Sequence, residues 1–200
     1  MKSSSVLTPL FFSLILSSCA FAPYSNNHSA RTLGKGNVSV QAGLSANANV
    51  PIARLGYGIA NNVDIGLLAE EQNNTELFGG WLKYAFINEK EGFSFSAETS
   101  AGGSDSSRYF YIGPTVGYKW HWYEPYFTAR YNYVAYHNEH NVDLSLFGKL
   151  DVNEKGNYQY GLLTLGSTLW ATNWLGLNLN ANVTVPFTYY YFGAGVVVTF

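Results

Sequence analysis

From Asn37 to Phe200 the apolar residues of this chain recur at every second position, in segments of about ten residues separated by clusters of Asn, Gly, Asp and Glu. Period two marks an extended strand whose two faces meet different surroundings. The first segment, NVSVQAGLSA, sets Val38, Val40, Ala42 and Leu44 against Ser39, Gln41, Gly43 and Ser45. The second sets Ala53, Leu55, Tyr57 and Ile59 against Arg54, Gly56 and Gly58. After Ala60-Asn61-Asn62, the third sets Val63, Ile65, Leu67 and Ala69 against Asp64, Gly66 and Glu70, so the turn keeps both apolar sets on one side. The fourth puts Phe78, Leu82, Tyr84 and Phe86 opposite Trp81 and Lys83, and the fifth puts Phe93, Phe95, Ala97 and Ala101 opposite Ser94, Ser96, Glu98 and Ser100. The sixth opposes Phe110, Ile112, Pro114, Val116 and Tyr118 to Tyr109, Tyr111, Thr115 and Lys119. The seventh opposes Phe127, Ala129, Tyr131 and Tyr133 to Thr128, Arg130 and Asn132. A polar stretch from His137 to Asn157 then interrupts the alternation, and an eighth segment, about Tyr158 to Trp170, is blurred. The ninth is clean, with Leu175, Leu177, Leu179, Ala181, Val183 and Val185 against Asn178, Asn180 and Asn182. The tenth, YYYFGAGVVVTF, ends the chain. The count is ten strands, with eight the nearest alternative.

Alternation also fits a soluble sandwich, and three features select a transmembrane barrel instead. One face is apolar in every segment while the other carries Gly, Ser, Thr, Asn and both signs of charge, as lipid outside and a polar lumen inside require. The connections alternate in length. Short ones fall at Ala60–Asn62, Asn88–Glu91, His121–Glu124 and Ala171–Asn173, and mostly longer ones at Glu71–Glu76, Gly102–Ser107 and His137–Asn157. Such asymmetry separates periplasmic turns from extracellular loops. Trp120, Trp122, Trp170 and Trp174 stand at two of the short turns, where an interfacial aromatic girdle belongs. The expected fold is therefore an all-β, antiparallel up-and-down transmembrane barrel, with both termini on the periplasmic side.

Composition agrees. Aromatic residues make up 17% of the 200 and charged residues only 12%, about half the usual charged share of a soluble protein. A net charge of -2 offers no basic surface for a nucleic-acid partner. No segment after the first residues is long and apolar enough for a spanning helix.

The N-terminus reads as a secretory signal: Lys2, then the apolar run VLTPLFFSLIL from Val6 to Leu16, then small residues. Ordinary signal cleavage is open at Ser18-Cys19-Ala20. The run LSSC, Leu16 to Cys19, resembles the bacterial lipobox, which implies acylation of Cys19 as the first mature residue, with Ala20 after it favouring the outer membrane. On that basis residues 1–18 form the signal peptide, 19–36 an N-terminal tether or plug-like segment, and 37–200 the barrel. The last strand, with Phe192, Ala194, Val196, Val198 and Phe200 on one face, resembles the C-terminal signal of bacterial outer-membrane β-barrel proteins. The resemblance implies recognition by the barrel-assembly machinery, and membrane lipids and lipopolysaccharide as surroundings.

Strand parity sends Arg54, Asp64, Glu70, Lys83, Glu98, Lys119 and Arg130 to the lumen, with Arg54, Glu98 and Arg130 near mid-depth. Charges in a narrow lumen must be paired or hydrated. They form either a structural network that fills the barrel or a narrow selective path for a small solute. A catalytic barrel would need a nucleophile with an adjacent base. The candidates, His137 and His140, stand three apart, on opposite faces of any strand, and no serine elbow or metal motif accompanies them. No catalytic residue, metal or cofactor is expected. The expected role is structural or binding in the cell envelope, with a narrow channel as the alternative and a lipid-modifying enzyme behind it.

Overall fold

A strand standing in lipid has no water to satisfy its backbone, so each edge must find another strand. The computed structural model, which describes residues 23, 29–45, 50–72, 75–143, 149–185 and 190–200, meets that demand completely. Its strands are β1 (Val38–Ser45), β2 (Val50–Ala60), β3 (Val63–Gln72), β4 (Thr75–Asn88), β5 (Gly92–Gly103), β6 (Ser107–Lys119), β7 (Tyr123–Asp143), β8 (Lys149–Trp170), β9 (Leu175–Val185) and β10 (Tyr190–Thr199). Each pairs antiparallel with its sequence neighbours, and β1 pairs with β10, so the ten strands close into a barrel. The count of eight is thereby excluded. At the seam Ser39 lies opposite Thr199 and Ser45 opposite Gly193. Beyond that register Val38 and Phe200 exchange both backbone hydrogen bonds, at 3.0 and 2.9 Å.

The polarity of the barrel is inverted relative to a soluble protein. Leu165 is 66% exposed on the outer face, in company with Leu44, Leu55, Leu67, Phe78, Phe127 and Leu179. Arg54 is 2% exposed on the inner face, with Asp64, Glu70, Lys83, Glu98 and Arg130 also buried there. Apolar atoms outside and charges inside are stable only when hydrocarbon surrounds the wall. Trp120, Trp122 and Trp174 are exposed at the short-turn end, beside Tyr118 and Phe86, and form an aromatic rim.

Three expectations need correction. Trp170 does not join that rim: its indole Nε1 donates to Glu124 Oε2 at 2.8 Å inside the mouth. The polar stretch His137–Asn157 is not simply a connector either, because β7 and β8 stay in register through it, from Tyr136 opposite Gly156 to Asp143 opposite Lys149. Likewise Glu71 pairs with Glu76 and Gln72 with Thr75. Polarity does not end a strand outside the bilayer, since the backbone ladder continues wherever turn chemistry permits. The end asymmetry thus lies in strand extension as much as in loop length. Third, the far half of the lumen is not uniformly polar. Leu68, Leu77, Trp81, Tyr109, Tyr111 and Val134 pack into an inner apolar cluster, with Tyr158 and Tyr160 against it. The blurred eighth segment has the same origin, since Leu162 points inward and is buried while Ser167 faces outward.

Leu179 lies near the middle of β9 on the lipid face. Leu179→Arg should destabilise the barrel by about 2–4 kcal/mol in denaturant-driven refolding into phospholipid vesicles, while Lys90→Arg, in an exposed turn, should leave the midpoint unchanged.

Candidate functional site

The chemistry of the molecule is concentrated in the lumen, where alternate residues of each strand project. Asp64 of β3 lies directly across from Lys83 of β4, and Lys83 directly across from Glu98 of β5. Arg54 reaches from β2 over the lumen, and its Nη2 donates to Glu98 Oε1 at 3.2 Å. The Tyr111 hydroxyl donates to the same oxygen at 2.5 Å. Arg54 also lies over the Trp81 ring, 4.8 Å from its centroid, and Arg130 lies 4.3 Å from the centre of the Tyr111 ring. Ring faces thus share the task of compensating buried guanidinium charge. Trp81 can lie flat against the wall because Gly66 has no side chain: a Cβ there would stand 2.4 Å from the ring. Glu70 sits higher and accepts from Gln72 Nε2 at 3.0 Å.

The opposite wall is neutral. On β9 the residues Asn178, Asn180 and Asn182 form a ladder along one strand, each amide donating to the previous carbonyl oxygen, at 3.2 and 2.5 Å. Thr168 and Thr164 of the adjacent β8 and the Tyr126 hydroxyl of β7 complete it. Side-chain hydrogen bonds at spacing two follow from the pleat, which brings every second residue to the same face.

A strap crosses the short-turn mouth. Residues 29–37 run over it before entering β1, held by lumen groups at Arg31 and Leu33 and by the exposed turn residues Asn61 and Asn88 at Thr32. Arg31 makes a bidentate pair with Glu124, at 2.8 and 2.6 Å, the strongest geometry available to a guanidinium and a carboxylate. The Leu33 amide donates to both oxygens of Asp64, at 3.1 and 2.9 Å. Lys83 Nζ donates to the carbonyls of Ser29 and Arg31, each at 3.2 Å. Thr32 bridges Asn88 and the Asn61 carbonyl, and Ala30 is fully buried. Deeper in the barrel Arg130 donates to the Pro23 carbonyl. The strap turns out of the mouth at Gly34, whose φ of +83° favours glycine, and it passes so close to β2 that a Cβ at Gly58 would stand 1.9 Å from the Gly34 oxygen.

The structure therefore places Arg54, Asp64, Glu70, Lys83, Glu98 and Arg130 inside the barrel, and Lys119 at the mouth over the Trp170 ring, 5.3 Å from its centre. It brings Arg54 together with Glu98, and joins Asp64, Lys83 and Arg130 to the N-terminal segment. Phe192, Ala194, Val196 and Val198 face outward on β10, and Phe200 is exposed at the end of the seam. Cys19 and the signal peptide lie outside the described residues, as does His28. His137 and His140 pair through their backbones with Lys155 and Val152, and among the described residues no three His, Cys, Asp or Glu side chains group as metal ligands. Sequence reasoning did not find Arg31, Glu124 or Trp170 as lumen residues. Their pairing spans 93 positions from Arg31 to Glu124, and no local pattern signals it.

No protein-family model matches the chain, and no curated protein matches it. Solved structures do. The outer membrane protease OmpT from Escherichia coli is similar with a TM-score of 0.59 at 12% identity, covering 92% of this chain and 99% of that one. The KdgM porin is similar at 0.47 with 8% identity, covering 82% and 99%. The N-terminal β-barrel domain of Pseudomonas aeruginosa OprF is similar at 0.43 with 14% identity, covering 84% and 99%. What the likeness to OmpT shows is the shared barrel fold.

Glu98 serves Arg54 and Tyr111 at once. Glu98→Ala, which leaves a buried guanidinium without its carboxylate, should cost about 3–5 kcal/mol, and Tyr111→Phe only about 1–2 kcal/mol. Unfolding of the purified variants in detergent checks the order, and a double-mutant cycle should show coupling between Glu98 and Arg54 but little between Glu98 and Arg31.

Proposed function

We propose that this chain is a small outer-membrane β-barrel lipoprotein of a Gram-negative envelope, with a structural or binding role and a lumen closed by its own N-terminal segment. The observation that carries the reading is the strap, in which Arg31, Leu33, Ser29 and Pro23 engage Glu124, Asp64, Lys83 and Arg130. Groups that would line a conducting path are bound instead to backbone and side chains of the same chain. Such a barrel does not pass solutes at rest.

In this reading the short-turn end faces the periplasm, and the extended β7–β8 hairpin meets lipopolysaccharide on the outside. Membrane lipid covers the apolar belt, and the last strand is the part that the assembly machinery reads. The Trp rim, the strap and both ends of the barrel wall all lie at the short-turn end, which supports that orientation. Acylation of Cys19 would add a lipid anchor at the start of the mature chain. The role proposed is non-catalytic.

In planar bilayers the wild-type barrel should be silent, and Arg31→Ala combined with Asp64→Asn, which removes two strap anchors, should give discrete conductance steps. Steps in the wild type would favour the channel instead. Labelled palmitate should enter the wild type and not Cys19→Ala; label retained in that variant would remove the lipid anchor.

A further inference from the structure

On the lipid face, towards the short-turn end, a groove of about 500 Å³ runs over β7, β8, β9 and β10. Tyr123 bounds it at the turns and Phe192 at its other end, and Leu165 and Leu179 stand on its two sides, all four exposed. The smaller Ser167 and Ala181 lie between them, half-buried. Two serine or threonine hydroxyls face outward from the described strands, those of Thr99 and Ser167. Thr99 Oγ1 donates to the Tyr111 carbonyl at 3.0 Å. Ser167 makes no hydrogen bond among the described residues, and a hydroxyl facing hydrocarbon costs free energy until it finds a partner.

The register makes this groove self-complementary. Pro125, Ser167 and Leu179 lie in one row across β7, β8 and β9, two, three and four residues inside the short-turn ends of their strands at Tyr123, Trp170 and Leu175. The row therefore climbs the wall from β7 to β9, while the strands, tilted by about 40°, lean back the other way. Ala181, two residues beyond Leu179, is thereby brought directly above Ser167. Leu165 falls to one side of that column and Leu179 to the other. Two copies of a barrel share one orientation in the bilayer, so a twofold axis between them runs along the membrane normal. An axis through the column sets Ser167 against Ser167 of the second copy and Ala181 against its Ala181, and packs Leu165 of each copy on Leu179 of the other. We propose that this face is an interface with a second copy of the chain, a twofold dimer within the membrane in which the two Ser167 hydroxyls satisfy each other. Lipid chains fill the groove without bonding the hydroxyl, and that difference favours the protein partner. Lying outside the lumen, the contact depends on neither the strap nor acylation of Cys19.

Cross-linking in phospholipid vesicles at high lipid excess tests it, with Cys19→Ser in every protein so that each carries a single introduced thiol. Ser167→Cys should give a disulfide-linked dimer on mild oxidation, and Leu67→Cys, on β3 across the barrel, should remain monomeric. Counting the bleaching steps of a dye on Lys90→Cys, in an exposed turn, reads association without a cross-link and should show pairs. Adding Ala181→Trp, which fills the groove, should weaken association by about tenfold or more, and adding Ser167→Ala by about threefold, the usual share of one hydrogen bond between membrane segments. Retained heat-modifiable migration on a denaturing gel confirms that each variant is folded. Single bleaching steps without the groove variants, Leu67→Cys cross-linking as readily as Ser167→Cys, or undiminished pairing in folded Ala181→Trp or Ser167→Ala would each overturn the proposal. The bilayer recordings are independent, since a conducting wild type removes the closed-barrel reading and leaves this result standing.

Discussion

Hydrocarbon offers a backbone amide nothing to bind, and that single constraint shapes this molecule. It requires the seam between β1 and β10, where Val38 and Phe200 complete the ladder. Once the wall is closed, the pleat sends alternate side chains to opposite solvents. The outer set must be apolar, and the inner set must solve a separate problem, which is how to hold charges in a space too narrow for bulk water.

The interior solves it locally at each level. At mid-depth Arg54, Glu98 and Tyr111 share one carboxylate oxygen, and the rings of Trp81 and Tyr111 receive the remaining faces of Arg54 and Arg130. Along β9 the asparagine ladder satisfies itself without charge. At the mouth the solution is non-local: the strap supplies carbonyls to Lys83 and Arg130, an amide to Asp64 and a guanidinium to Glu124. The charges that parity sends inward are therefore also the docking points for the chain's own N-terminal segment, and this links the fold to the closed lumen we propose.

Some of this was legible in the sequence, and the division follows physics. β9 reads directly, because one face is all Leu, Ala and Val and the other carries three asparagines. The tenth strand and its pairing with the first follow from the same alternation. β8 does not read, since the apolar Leu162 is buried on the inner face and the polar Ser167 lies on the outer one, and each breaks the rule that serves elsewhere. The His137–Asn157 stretch reads as a loop by polarity, although an antiparallel ladder needs only backbone groups and continues there. Trp170 reads as a rim residue because it stands at a turn, yet its parity with Thr168 turns it to Glu124. The strap has no period at all. Its Gly34-Lys35-Gly36 turn is a local signal, but the contacts of Arg31 and Leu33 arise only when distant strands bring Glu124 and Asp64 to one mouth.

The central claim is that the segment before β1 is seated in the barrel and held at Asp64. Amide hydrogen exchange at Leu33, measured by NMR on the folded barrel in detergent or nanodiscs, tests it most directly. The account predicts protection of the Leu33 amide close to that of the β2 and β3 amides, and its loss in Asp64→Asn with the strand amides unchanged. A Leu33 amide that exchanges as freely as an unfolded peptide in the wild-type barrel would contradict it.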